Sequence, residues 1–167
     1  KTGFGYGSTA EEVVQGLDLT GRNILVTGCN SGLGHETARV LALRGAHIIG
    51  AARTQERAEK ALSALGVEGT PVACELSHLA SVRAAVAALQ GRRLDGIIAN
   101  AGIMALPELK VHHGLELQFL TNHMGHFLLV TGLLETLSGD GRVVVLSSGA
   151  HRMAPKLGID FDDLSGE

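Results

Sequence analysis

The stretch Thr27-Gly28-Cys29-Asn30-Ser31-Gly32-Leu33-Gly34 has the residue types and spacing of a binding turn. An apolar run, Ile24-Leu25-Val26, precedes it, and Glu36-Thr37-Ala38-Arg39-Val40-Leu41-Ala42 follows with a helical pattern. A strand that turns through glycines into a helix aims the helix's free N–H groups, and the positive end of its dipole, at the turn. The usual occupant of such a turn is a phosphate. The glycines have separable tasks: a sharp turn, close backbone approach to a pyrophosphate, and packing of helix on strand. Their spacing is Gly-x-x-x-Gly-x-Gly, and no Gly-Lys-Ser/Thr follows, so the turn is not a P-loop. On spacing alone, the alternative is a glycine-rich turn without a ligand.

Position 52 bears on which nucleotide such a turn would take. Sites for NAD often place an acid about 20 residues past the turn, at the end of the second strand, to hold the ribose 2′-hydroxyl. Here that place is Ala52, followed by Arg53. No carboxylate repels a 2′-phosphate, and a guanidinium stands ready to hold one. The pattern favours NADP(H) over NAD(H). Farther on, Thr121-Asn122-His123-Met124-Gly125-His126-Phe127 puts two poor helix formers, Asn122 and Gly125, inside a helical stretch, which points to a kink or a functional group. His123 and His126 lack a convincing third ligand, so packing and surface roles are preferred to a metal site. Val143-Val144-Val145-Leu146 reads as a buried strand that ends in two hydroxyls, Ser147 and Ser148.

These groups need elements to position them. Residues 1–20 form a glycine-rich lead-in with a short helix capped at Thr9-Ala10-Glu11-Glu12. Residues 21–167 read as one nucleotide-binding domain. Strands are predicted at Asn23–Thr27, His47–Ala52, Thr70–Cys74, Leu94–Ala99 and Arg142–Leu146. A helix running to about Arg44 and stopping at Gly45 follows the first strand. The next is capped by Thr54 and buries Ala58, Ala61, Leu62 and Leu65. Another starts at Ser77 or Ser81 and buries Val82, Ala85, Val86 and Leu89. A long helix is predicted over about Gly114–Leu137. Strand and helix alternate, and the strands are apolar on both faces. The fold class is therefore α/β, a doubly wound parallel sheet of order 3-2-1-4-5, Rossmann-like. Ligands of such sheets lie beyond the strand C-termini where strand order reverses, between the first and fourth strands.

Thr-Gly-x-x-x-Gly-x-Gly in a first strand–helix unit resembles the short-chain dehydrogenase/reductase family. Ala99-Asn100-Ala101-Gly102 is similar to the family's Asn-Asn-Ala-Gly segment, and Glu75-Leu76 to its Asp-Leu, with a longer acid. The resemblance implies cofactor contacts at Gly28, Asn30, Ser31, Gly32, Leu33, Gly34, Arg53, Glu75, Leu76, Asn100, Ala101 and Gly102. The Asn-His-x-Gly-His-Phe wording and Gly149-Ala150-His151-Arg152 resemble the retinol dehydrogenase-like branch. By the same resemblance Asn122 and Ser148 belong to the catalytic set, Asn122 supporting a proton-relay water and Ser148 bonding the substrate oxygen. The implied reaction is hydride transfer between nicotinamide and a small alcohol or carbonyl substrate of apolar character. Oligomers are common in the family, so a homo-oligomer stays open.

Composition narrows the classes further. With 167 residues, 45% of them apolar and 19% charged, the chain can bury a core and is not of disordered type. A net charge of −3, no basic run and 3% aromatics give no support to nucleic-acid binding. Two cysteines make no disulfide framework and suit a reducing, cytoplasmic setting. No apolar run has the length of a transmembrane segment. The family completes its site with Tyr-x-x-x-Lys. The one tyrosine here is Tyr6, ahead of the first strand and followed four positions on by Ala10. The fifth strand would also be left as a bare sheet edge. The expectation is an N-terminal portion of the family's domain, incomplete at its C-terminal side, with the Tyr and Lys downstream. The rival expectation is a non-catalytic nucleotide-binding regulatory or scaffold protein.

Overall fold

The computed structural model describes residues 3–154, 156 and 158–166. Helix α1 (Ala10–Val13) opens with the reciprocal cap expected of Thr9 and Glu12, their side chains bonding each other's backbone N–H at 3.3 and 2.7 Å. Then β1 (Asn23–Thr27), α2 (Gly32–Leu43), β2 (His47–Ala52), α3 (Gln55–Leu65), β3 (Gly69–Ala73), α4 (Leu79–Leu89) and β4 (Leu94–Ala99) alternate. The Thr54 hydroxyl caps α3 by accepting the Arg57 N–H, and Gly66 ends that helix in the left-handed conformation. Helix α4 starts after His78 rather than at either serine. The Ser81 hydroxyl instead accepts the Glu75 N–H, fixing the turn after β3.

The five-stranded sheet has the order β3-β2-β1-β4-β7, where β7 spans Leu137–Val145, and every pairing in it is parallel. Side-chain alternation divides the strand residues between two cores. Leu25, Ile49, Val72 and Ile97 point to the layer containing Val82, Ala85 and Leu89 of α4 and Leu129 and Leu133. Ile24, Val26 and Ile48 point the other way, onto Ala38 of α2 and Leu62 of α3. Full burial of each such aliphatic side chain contributes roughly 1.5–3 kcal/mol, so the two layers hold the sheet between them. At the opposite end from the strand C-termini, Asp95 joins three strands. Its carboxylate, 3% exposed, accepts from Arg22 Nη1 at 2.9 Å, Arg93 Nη2 at 2.8 Å, the Asn23 N–H at 3.0 Å and the Ser138 hydroxyl at 3.2 Å.

The expected long helix over 114–137 is shorter at both ends. A two-strand hairpin, β5 (Val111–His112) with β6 (Leu115–Glu116), precedes it. His113 and Gly114 turn that hairpin with positive φ at both positions, the handedness that suits strand twist. Glu116 then starts the helix, its carboxylate accepting the N–H groups of Gln118 and Phe119. The helix comprises α5 (Leu117–Phe119), a π-helical segment at Leu120–Gly125, and α6 (His126–Leu133), and it closes in a 3₁₀ turn at Leu134–Thr136. The last strand begins at Leu137, with a bulge before Arg142; the expected residues from Arg142 onward carry the regular pairing with β4. It lies at the sheet edge, with Val144, Val145 and Leu146 exposed.

Candidate functional site

A crevice of about 580 Å³ opens beyond the C-terminal ends of β1 and β4, where strand order reverses. The turn after β1 forms its floor. Gly28 has φ +70°, and a Cβ there would lie 3.1 Å from Ala101. Gly34, in the first turn of α2, is closer still: a Cβ would overlap the Gly28 carbonyl oxygen and the Asn100 side-chain amide. Both positions therefore require glycine, and both bring backbone to the crevice wall. Ser31, the N-cap of α2, makes no side-chain cap hydrogen bond, and no acid stands in that first turn. The first N–H groups of α2 consequently point at the crevice without a capping side chain, the arrangement that attracts an anion.

Thr27 ties the two halves together. Its hydroxyl oxygen accepts the N–H groups of Asn100 at 2.9 Å and Ala101 at 3.0 Å, while Asn100 Nδ2 donates to the Thr27 carbonyl at 2.9 Å. These three bonds lock the turn after β4 against the end of β1. Asn122 continues the chain of contacts. Its Oδ1 accepts the Ile103 N–H and its Nδ2 donates to the Ile103 carbonyl, both at 2.8 Å. The side chain thus brackets the backbone just past Gly102. The mid-helix glycine, Gly125, sits against Leu76, where a Cβ would collide with the Leu76 carbonyl.

Of the residues singled out in the sequence, Gly28, Asn30, Ser31, Leu33, Gly34, Arg53, Glu75, Leu76, Asn100, Ala101 and Gly102 line the crevice. Gly32 belongs to the same turn, at the start of α2. Arg53 pairs with no carboxylate among the described residues. Glu75 is held in place, its Oε1 accepting the hydroxyl and N–H of Ser77 at 2.9 and 3.3 Å. Asn122 is exposed, bonded to the Ile103 backbone, and is not among the residues that line the crevice. Ser148 lies two residues past Leu146, a lining residue, and caps the 3₁₀ turn Gly149–Met153 by accepting the Ala150 N–H at 3.1 Å. Thr27, Ser77, Ile103, Leu106 and Thr121 also line the crevice and were not assigned a cofactor contact. Thr27 was the one with a readable signal, immediately before the first glycine.

The thiols and imidazoles are structural in their surroundings. Cys29 and Cys74 are free and buried; burial pushes the first up to about 11 and the second to about 12, so neither is a thiolate at neutral pH. His123 is exposed and stacks with Phe119 and Phe127, whereas His126 is buried. Among the described residues no three His, Cys, Asp or Glu side chains gather as metal ligands. Nor, among them, is any helix long and apolar enough to cross a membrane.

Comparison with known proteins agrees with this geometry. Residues 22–159 match the short chain dehydrogenase family. A "probable oxidoreductase" of Streptomyces antibioticus is 46% identical over 155 residues, covering 88% of this chain and 51% of that protein. A solved structure from Mycobacterium paratuberculosis is 38% identical with a TM-score of 0.78, covering 89% of this chain and 53% of its own. A short chain dehydrogenase structure from Shigella flexneri, complexed with NADP, is 25% identical with a TM-score of 0.68, covering 82% of this chain and 63% of its own. The chain spans about half the length of the curated relatives it matches. Sheet order, glycine turn and matched span together make this chain a member of the short chain dehydrogenase family.

Proposed function

We propose that the protein carrying this chain is an NADP(H)-dependent oxidoreductase acting on an apolar alcohol or carbonyl compound, of the retinol dehydrogenase-like kind. The observation that carries the reading is the joint presence, in one crevice, of the uncapped α2 N-terminus and Arg53, which has no carboxylate partner among the described residues. The residues fit a dinucleotide: two glycines keep clear the backbone approach that a pyrophosphate needs, and the α2 N–H groups supply its donors. Arg53 suits a 2′-phosphate, and Ala52 beside it offers no opposing charge. Asn100–Gly102 and Glu75 border the nucleoside side. When bound, the nicotinamide supplies the hydride chemistry. Ser148 is assigned to hydrogen-bond the reacting oxygen, and Asn122 to hold the segment after β4. The buried thiols suit a reducing compartment, and we propose the cytoplasm.

A second reading has its own observation. Tyr6, the chain's one tyrosine, is fully exposed ahead of α1, so no tyrosine of this chain faces the crevice. A nucleotide-binding protein without turnover would look the same here. Titration of the natural full-length protein with NADP(H) and NAD(H), followed by carbonyl-dependent NADPH oxidation, separates the two. Arg53→Ala is expected to weaken NADP(H) by about 10- to 100-fold and NAD(H) far less, since a charge-assisted bond is worth about 1.5–3 kcal/mol. Ala52→Asp is expected to move preference toward NAD(H). Equal loss for both cofactors, or none, refutes the assignment of Arg53. Tight binding without turnover of any carbonyl substrate favours the second reading.

A further inference from the structure

Beneath the crevice, a buried imidazole on α6 meets the hydroxyl at the end of β1. Thr27 Oγ1 accepts the N–H groups of Asn100 and Ala101, and two donors fill the lone pairs of a hydroxyl oxygen. Its own proton must point outward. The nearest acceptor is His126 Nε2 at 2.9 Å, ahead of the Ile98 carbonyl at 3.4 Å. Nε2 is therefore unprotonated. On the other side of the ring, Nδ1 lies 2.9 Å from the Asn122 carbonyl, which can only accept, so Nδ1 carries a hydrogen. His126 is 4% exposed, and burial holds its pKa below the ordinary value although the Asn122 carbonyl pulls the other way. The Asn122 carbonyl stands within the π-helical segment, where the regular α-helical ladder is interrupted.

We propose that His126 is a positioning residue: as the Nδ1-protonated imidazole it donates to the Asn122 carbonyl and accepts the Thr27 hydroxyl. It thereby ties the π-helical turn that carries Asn122 to the end of β1. One relay runs from Ile103 through the Asn122 side chain and carbonyl to His126, on to Thr27, and back to the Asn100 and Ala101 N–H groups. The loop closes on the segment after β4 that borders the crevice. The backbone groups at its ends fix the ring's tautomer, and the ring in turn fixes the direction of the Thr27 hydroxyl. The effect on turnover rests on the oxidoreductase reading; the hydrogen-bond assignment does not.

The test uses the natural full-length protein. Nitrogen-15 NMR of the labelled histidines is expected to show His126 with a protonated Nδ1 and a bare Nε2 across neutral pH. His126→Phe keeps an aromatic ring and removes both nitrogens, with two hydrogen bonds; kcat is expected to fall about 10-fold, with substrate KM within about 2-fold. His126→Asn retains a donor near the Nδ1 position and is expected to recover part of that loss. An Nε2-protonated or doubly protonated ring overturns the assignment. So does wild-type kcat in a folded His126→Phe variant. If that variant does not fold, the NMR result and His126→Asn decide. The tautomer measurement needs no nucleotide, so failure of the wild type to bind one would defeat the oxidoreductase reading and leave the relay to be judged by NMR.

Discussion

Gly34→Ala is the perturbation for which local and tertiary reasoning give opposite signs. Gly34 lies in the first turn of α2, and helix propensity favours alanine over glycine by about 1 kcal/mol. The tertiary contacts oppose this. A Cβ at position 34 would stand 2.8 Å from the Gly28 carbonyl carbon and overlap both the Gly28 oxygen and Asn100 Nδ2. Non-bonded carbons settle at about 3.5–4.0 Å, so α2 must retreat by on the order of 1 Å. Two of the atoms met are backbone, which cannot swing aside as a flexible side chain can. Overpacking of this kind costs about 1–3 kcal/mol, and disturbing the Asn100–Thr27 bond costs about 1 kcal/mol more. The expected outcome is a net loss of about 2 kcal/mol. For about 150–250 residues that is a Tm lower by about 4–8 °C, and by less in a longer chain. Urea unfolding and thermal melts of the natural full-length protein measure it, and NADP(H) titration should show weakened binding in parallel. An alanine variant as stable as wild type or more so, with unchanged affinity, would refute the close-approach argument.

Two other outcomes follow from the geometry. Burial works to raise the Asp95 carboxyl, but the Asn23 N–H, Arg22, Ser138 and Arg93 together hold it below the usual carboxylate value. The unfolded chain therefore binds the proton more readily, and the stability this group contributes above about pH 4 is lost as pH falls below that; Asp95→Ala should cost about 2–3 kcal/mol at neutral pH and flatten that acid limb in urea titrations. Ser148→Ala should lower kcat by on the order of 100-fold with little change in cofactor affinity, and Ser147→Ala should be milder; the reverse order would move the assignment within the pair.

The resemblance to solved structures and the matched family span agree with the sheet order read from the sequence, because the signals for it are local. Ile24-Leu25-Val26 and Ile48-Ile49 are apolar on successive positions, which suits strands covered on both faces. Thr9, Thr54, Gly45 and Gly66 mark helix ends through contacts within four residues of themselves. The glycine spacing after β1 likewise identifies the turn without knowledge of its surroundings. The helix over Leu117–Leu133 was legible in its middle and misjudged at its ends. His113-Gly114 is an uncommon hairpin turn, and Leu137 begins a bulged strand whose partner, Leu94, is remote in the chain.

What only the folded chain decides are contacts made across the sheet order. Thr27 meets Asn100 and Ala101 because β1 and β4 are neighbours, although more than seventy residues separate them. His126 reads in the sequence as one of two histidines at helical spacing. The π-helical segment and the burial of one face turn it onto Thr27 and leave His123 outside, against Phe119 and Phe127. Asp95 is an ordinary charged residue in the sequence and becomes a junction of three strands in the fold. Helix and strand signals arise from interactions along a few residues, so they can be read before folding. Which hydroxyl, imidazole or carboxylate then finds its partner depends on which strands lie side by side, and that is settled by packing the two apolar layers.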